Sequence, residues 1–251
     1  MAQFTRETIT ITFGDQAENH AGMQKIGTAS AEGYTISDLQ GIADALKHYK
    51  CELVGLNRYL PEGTIADPAA VLIIRGLCES SGLLAEQKQL QPDTKAFMYG
   101  RVVNKHARHN LCFGDVSQEP DYANKKGRVV AWNDVPALSK FRDRLPTLFG
   151  QKAKGLVAEG NYYYDISKCG IGYHGDAERK IVVAARLGER MPLHYHWFKD
   201  GKPLGETCEL LLGHGDVYIM SEKAVGQDWK RRKIYTLRHS AGAPKFTTLP
   251  K

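Results

Sequence analysis

The sequence predicts an α+β protein. A small N-terminal α/β unit would occupy residues 1–94, and a jelly-roll or double-stranded β-helix with supporting helices would occupy residues 95–251. Two observations predict this class. The first segment alternates strand-like and helix-like patterns, and the second begins with a helical pattern followed by many short, turn-separated β-like runs.

Thr8-Ile9-Thr10-Ile11-Thr12-Phe13 alternates and is rich in β-branched residues, which favours a strand. Ser37-Asp38-Leu39-Gln40 reads as a capping box. Leu39, Ile42, Ala43, Leu46 and Tyr49 then recur at helical spacing. Residues 51–60 and 70–77 read as further strands, separated by the turn signal Pro61-Glu62-Gly63. Residues 14–24 form a polar, glycine-punctuated loop that is either a plain connection or a substrate- or partner-contacting segment. A polar helical stretch over 81–94 ends the unit at Pro92.

Beyond it, Pro136 stands at the first turn of a helix through Leu138, Phe141, Leu145 and Leu148. Pro146 is expected to kink this helix and Gly150 to end it. Strands are then expected over 157–164, 181–187, 193–198, 207–212, 217–220, 234–239 and 245–249, with Asp200-Gly201 as a hairpin turn.

The composition, 42% hydrophobic and 25% charged, is that of an ordinary globular protein, and no apolar run approaches the ~18–20 residues that span a bilayer. Met1 to Arg6 lack the layout of a signal peptide. The five cysteines are odd in number and form no C-x-x-C pair, so free thiols and an intracellular (cytoplasmic or nuclear) setting are expected, with no membrane partner. A net charge of +6 permits a DNA or RNA partner. The local basic clusters are Lys125-Lys126, Lys152-Ala153-Lys154 and Lys230-Arg231-Arg232-Lys233, each of which also suits a solvated surface.

The most informative stretch is Gly172-Tyr173-His174-Gly175-Asp176. In an extended chain positions i and i+2 face the same way, so one imidazole and one carboxylate can reach a common point. A second histidine would complete a two-His, one-carboxylate face with open positions, the arrangement of non-haem Fe(II) oxygenases.

From Leu156 onward the chain resembles the AlkB-like branch of the Fe(II)/2-oxoglutarate-dependent dioxygenases, over roughly residues 95–251. Asn161-Tyr162-Tyr163 is similar to that family's N-x-Y, 13 residues before the histidine of H-x-D. Ala185-Arg186-Leu187-Gly188 stands where the family has a strand ending in Ser-Leu-Gly. Gly215-Asp216-Val217-Tyr218-Ile219-Met220 resembles its Gly-Asp-Leu strand, and Gln227-Asp228-Trp229 a further element of some members. The resemblance implies an oxidoreductase that uses Fe(II), 2-oxoglutarate and O2 to hydroxylate or oxidatively demethylate a substrate, a modified base in DNA or RNA first among them. It implies His174 and Asp176 as metal ligands, and Asn161 and Tyr163 as contacts of 2-oxoglutarate.

The pattern departs at the distal ligand, where Lys230 and Arg231 follow Asp228-Trp229 and cannot readily ligate iron. His239 is the next candidate. Arg232 and Arg238 have the family's arginine spacing, but in those roles they would leave no upstream histidine as distal ligand. With His239 as ligand, the C5 carboxylate of 2-oxoglutarate needs another cation. Arg186, an arginine inside an apolar strand, is one candidate, Lys245 another; a structural ion pair is the alternative for Arg186. His194-Tyr195-His196 reproduces the start of a cupin metal motif, with Gly201 and Lys202 where its glutamate is expected. His106 and His109 lie in a basic polar stretch that is either a substrate contact or a solvated loop, and His214 reads as a turn residue. A cupin-like metal protein using His194 and His196, or a nucleic-acid-binding module with a degenerate iron site, are the alternative readings.

Overall fold

The computed structural model describes residues 6–79 and 82–249; the N-terminal run Met1–Thr5 and Ser81, at the start of the expected helical stretch, lie outside them. Strands β1 (Thr8–Gly14), β2 (Gln16–Glu18) and β3 (Lys25–Gly27) lead to helix α1 (Ile36–Ala45). Strands β4 (Cys51–Gly55) and β5 (Ala70–Ile74) precede the short helix α2 (Leu83–Gln87). Next come β6 (Lys95–Met98), β7 (Arg101–Asn104), β8 (His109–Gly114), β9 (Val129–Ala131) and helix α3 (Pro136–Phe149). The chain continues through β10 (Val157–Tyr163), β11 (Gly170–His174), β12 (Val182–Gly188) and β13 (Met191–Lys199). It ends with β14 (Lys202–Leu212), β15 (Val217–Met220), α4 (Glu222–Val225), β16 (Thr236–Gly242) and α5 (Pro244–Thr247).

The result is a mixed α+β fold, mostly β-sheet. Eight strands form the main sheet in the order β4-β5-β15-β12-β1-β10-β8-β9, and four form a second sheet in the order β11-β16-β13-β14. All pairings are antiparallel except β8 with β9.

Side-chain alternation builds two cores. On one face of the main sheet, Ile9, Ile11 and Phe13 of β1 and Val183, Ala185 and Leu187 of β12 pack under the helices. The helices contribute Leu39 and Ile42 from α1 and Leu138, Phe141, Leu145 and Phe149 from α3. On the other face, Val71 and Ile73, Val182 and Ala184, and Tyr218 and Met220 meet Leu193, Tyr195 and Trp197 of the second sheet. With both faces covered, every residue of β12 is buried, and the strand reads as a continuous apolar run broken by Arg186.

Several sequence expectations change. Residue 94 does not mark a boundary between the sheets, because β1, β4 and β5 share the main sheet with β8, β10, β12 and β15. Strand β1 pairs with β10 on one side and β12 on the other, so the N-terminal segment lies at the centre of the main sheet. The N-cap of α1 is Thr35 rather than Ser37: its hydroxyl accepts from the Asp38 amide at 3.1 Å, and the Asp38 carboxylate accepts from the Thr35 amide at 2.8 Å. Residues 244–247 form helix α5 instead of a strand, with Pro244 in its first turn. Pro146 lies inside α3, which ends at Gly150 as expected. Asp200 and Gly201 both have positive φ, 52° and 80°, as a two-residue hairpin turn requires. The five cysteines are free thiols, and among the described residues no helix is long and apolar enough to cross a membrane.

Candidate metal centre and its cavity

His174 ends β11 and His239 sits beside it on β16. The register runs from Ile171 opposite Ala241 to His174 opposite His239, three steps on one strand against two on the other. This β-bulge turns His174 toward the same inner side as Ile171 and leaves Tyr173 against the rings of His196 and Phe198, with centroids 6.2 and 6.0 Å away. Asp176 follows beyond the strand, with its amide donating to the Val225 carbonyl at 3.0 Å. Gly175 allows that approach: a Cβ there would stand 2.1 Å from the Gly226 carbonyl oxygen.

One ligand atom from each of His174, Asp176 and His239 lies within 4.8 Å of the others, the one such His/Cys/Asp/Glu group among the described residues. The Nε2 atoms of His174 and His239 stand 3.4 and 3.5 Å from Asp176 Oδ1. The His174 Nδ1 lies 2.8 Å from the Gly172 carbonyl. A carbonyl only accepts, so Nδ1 carries a proton, and Nε2 is the ring atom placed to ligate a metal beside the aspartate. Burial, seconded by the neighbouring His174, pushes the His239 imidazole below its ordinary value and favours the neutral, ligating form. Burial alone would raise the Asp176 carboxyl; Arg179 and the two histidines together hold it well below the usual carboxylate range. Two imidazoles in their neutral form with one ionised carboxylate make a donor set that suits a divalent first-row metal with open positions.

Behind the ligands lies a buried ionic cluster. Arg179, 3% exposed, sets its Nε 3.4 Å from Asp176 Oδ2, and its Nη2 donates to Glu159 at 2.7 Å and Glu178 at 2.5 Å. Glu159 also accepts from the side-chain amides of Asn110 and Asn161, both at 3.1 Å. The Asn161 Oδ1 takes hydrogen bonds from Arg108 at 2.6 Å and Asn110 at 2.7 Å. The Asn161 carboxamide is thereby held in one orientation, with one N–H still available.

A cavity of about 660 Å³ opens from the triad. Its inner wall carries Thr10, Asn161, Tyr163, Arg186 and Tyr218. Arg186 is 1% exposed, forms no ion pair among the described residues, and has Nε and Nη1 without a hydrogen-bond partner. Thr10 lies opposite it in the β1–β12 register, is buried, and has a hydroxyl likewise without a partner. Tyr218 contacts the guanidinium; burial drives its phenol up to about 12, with Arg186 opposing. The outer wall includes Glu18, Asn19, His20 and Met23 from the N-terminal loop, with Arg108 and Trp229. The stretch expected as a loop over 14–24 contains strand β2, and its residues Glu18 to Met23 line the cavity.

Of the candidate residues, His174, Asp176 and His239 converge, and Asn161, Tyr163 and Arg186 line the same cavity. Lys245 does not join them: it is exposed on α5, with Nζ 5.0 Å from the Phe246 ring centroid. The helix that replaces the expected strand carries it away from the cavity. His194 and His196 alternate with the inward-facing Leu193, Tyr195 and Trp197, and so face away from the triad. They contact Glu209 at 3.5 Å and Thr207 at 2.9 Å. Arg232 reaches the Asp200 carbonyl at 3.0 Å, and Arg238 stacks on Phe198 at 4.1 Å. Four residues beyond the sequence candidates line the cavity: Arg179, Glu159, Arg108 and Thr10. Arg179 lies three residues after Asp176, and Thr10 is on the polar side of the alternating first strand, the signals that point to each.

Fold and site define an α+β, mostly β-sheet protein with a His-Asp-His constellation that can hold a metal ion. No family model matches the chain. It is 47% identical, over 250 residues, to an uncharacterized protein of Acanthamoeba polyphaga mimivirus, with 96% of this chain and 98% of the viral protein covered. The chain belongs to the same family as that viral protein.

Proposed function

We propose that this protein is an Fe(II)- and 2-oxoglutarate-dependent dioxygenase, built on a double-stranded β-helix (jelly-roll), that hydroxylates or demethylates a modified base in DNA or RNA. The observation that carries the reading is Arg186: a buried guanidinium with no carboxylate partner among the described residues, in the wall of the cavity that holds the His-Asp-His group. An isolated buried charge is costly, so its presence calls for an anion, and a guanidinium grips a carboxylate through two parallel hydrogen bonds. A co-substrate with one end for a metal and a carboxylate at the other fits that pairing.

His174, Asp176 and His239 would hold the iron. Arg186 and Thr10 would anchor the distal carboxylate, Thr10 through its hydroxyl. Asn161 would orient the co-substrate with its remaining N–H, and Tyr163 would pack beside it in the buried wall. Arg179 keeps the Asp176 carboxylate ionised and fixes its rotation. Bound iron with 2-oxoglutarate and O2 supplies the oxidising chemistry; the protein supplies ligands, orientation and exclusion of water. Support for a nucleic-acid substrate is the +6 charge and the basic groups Arg108, Lys25 and Lys230 around the cavity.

Isothermal titration with Mn(II) and then 2-oxoglutarate tests this reading. Arg186→Met is expected to keep the metal and lose 2-oxoglutarate. Equal 2-oxoglutarate affinity in wild type and variant would overturn it.

A further inference from the structure

Lys105, the residue after β7, is buried, yet it forms no ion pair among the described residues. Its ammonium donates instead to two side-chain carboxamides, Asn19 Oδ1 at 2.7 Å and Asn110 Oδ1 at 3.0 Å. Each carboxamide passes an N–H on to a buried carboxylate, Asn19 to Asp93 at 2.7 Å and Asn110 to Glu159 at 3.1 Å. The cation thus stands one carboxamide away from each of two anions. Direct contact with either would offset its desolvation more fully, so charge pairing alone does not account for the arrangement.

What the two carboxamides add is direction. An ammonium has three donors and no acceptor, so it dictates which end of Asn110 faces it. The Asn110 oxygen is committed to Lys105, and its amide donates the other way, to Glu159 and to Asn161 Oδ1 at 2.7 Å. The β8–β10 register sets the two asparagines opposite one another. Turned over, Asn110 would place its amide against the ammonium and its oxygen against the Glu159 carboxylate and the Asn161 oxygen. Asn161, with its oxygen held by Asn110 and Arg108, gives one N–H to Glu159 and keeps the other in the cavity wall.

We propose that Lys105 and Asn110 form a positioning relay for the co-substrate, through which a buried cation fixes the face that Asn161 presents to the cavity. Neither side chain lines the cavity, so both act through Asn161 and not by contact. The proposal rests on the reading of the cavity as a 2-oxoglutarate site and assigns two residues that the reading does not use.

Titration of 2-oxoglutarate into the Mn(II)-loaded protein tests it. Asn110→Asp keeps the size of the side chain and the acceptor that Lys105 needs, but removes the donors to Asn161 and Glu159. It should weaken 2-oxoglutarate about tenfold, and Lys105→Met about fivefold, the scale of one hydrogen bond. If Lys105→Met fails to fold, Asn110→Asp alone carries the test. In an Asn161→Ala background, where the relay has nothing left to orient, Asn110→Asp should weaken binding no further. A general loosening of the fold would instead lower affinity by the same factor in both backgrounds. Wild-type affinity in Asn110→Asp, or an equal loss with and without Asn161, would overturn the relay and leave the dioxygenase reading standing. Absence of 2-oxoglutarate binding by the wild-type protein would overturn both.

Discussion

Asp176 divides its carboxylate between two tasks: Oδ1 faces His174 and His239, while Oδ2 lies 3.4 Å from the Nε of Arg179. Arg179 is therefore a positioning residue for the ligand set. Partners of this kind typically affect metal affinity by about 10–100-fold, so Arg179→Met should weaken metal binding within that range. The same change leaves Glu159 buried without its cation and should cost about 3–5 kcal/mol of stability. Adding Glu159→Gln should recover much of the stability and little of the metal affinity. Urea unfolding and a Mn(II) titration on the single and double variants separate the two effects.

Arg186, which has no carboxylate partner among the described residues, carries a stability prediction of the opposite sign. Removing a buried charge that no carboxylate offsets relieves desolvation. Arg186→Met, similar in length, should unfold within about 1 kcal/mol of wild type or above it. A loss well beyond that, measured in the absence of co-substrate, would mean that the guanidinium is a structural partner.

Lys105 gives the pH dependence. Burial lowers its amine from the ordinary 10.5 to about 8, and it donates to Asn19 and Asn110. Between those values the unfolded chain binds more protons than the native state, so native stability rises with pH across that window. Below about 8 both states are protonated and the contribution is flat. The stability of wild type minus that of Lys105→Met, followed by urea unfolding, should therefore climb from pH 8 to 10.5. A difference that falls over that window would contradict the assignment.

The two histidines of the cupin-like reading supply a negative expectation. His194 and His196 face away from the triad, so the double variant His194→Ala/His196→Ala should bind metal with wild-type stoichiometry. Metal analysis of the purified variant decides it; loss of metal there would move the site to the outer face of the second sheet.

Much of this was legible in the sequence. The strand over Thr8–Phe13 follows from alternation, and the His174–Asp176 pair from spacing along one segment. What these patterns do not carry is long-range pairing. The partners of β1 lie in β10 and β12, far along the chain, so its central place in the main sheet cannot be read locally. The bulge between Ile171 and His174 is equally invisible, since it exists only in the register against β16. Arg186 stood out as a charge in an apolar strand, but its lack of a partner and the nearby Thr10 hydroxyl belong to the folded state. Lys245 shows the opposite failure: the β-like segment 245–249 suggests a strand, and Pro244 starts a helix instead.

The most direct test is Fe(II)-dependent conversion of 2-oxoglutarate to succinate by the wild-type protein and by His174→Ala, Asp176→Ala and His239→Ala. The account predicts turnover in wild type and its loss in all three variants. Absence of turnover in iron-loaded wild type, or equal turnover in Asp176→Ala, would contradict it.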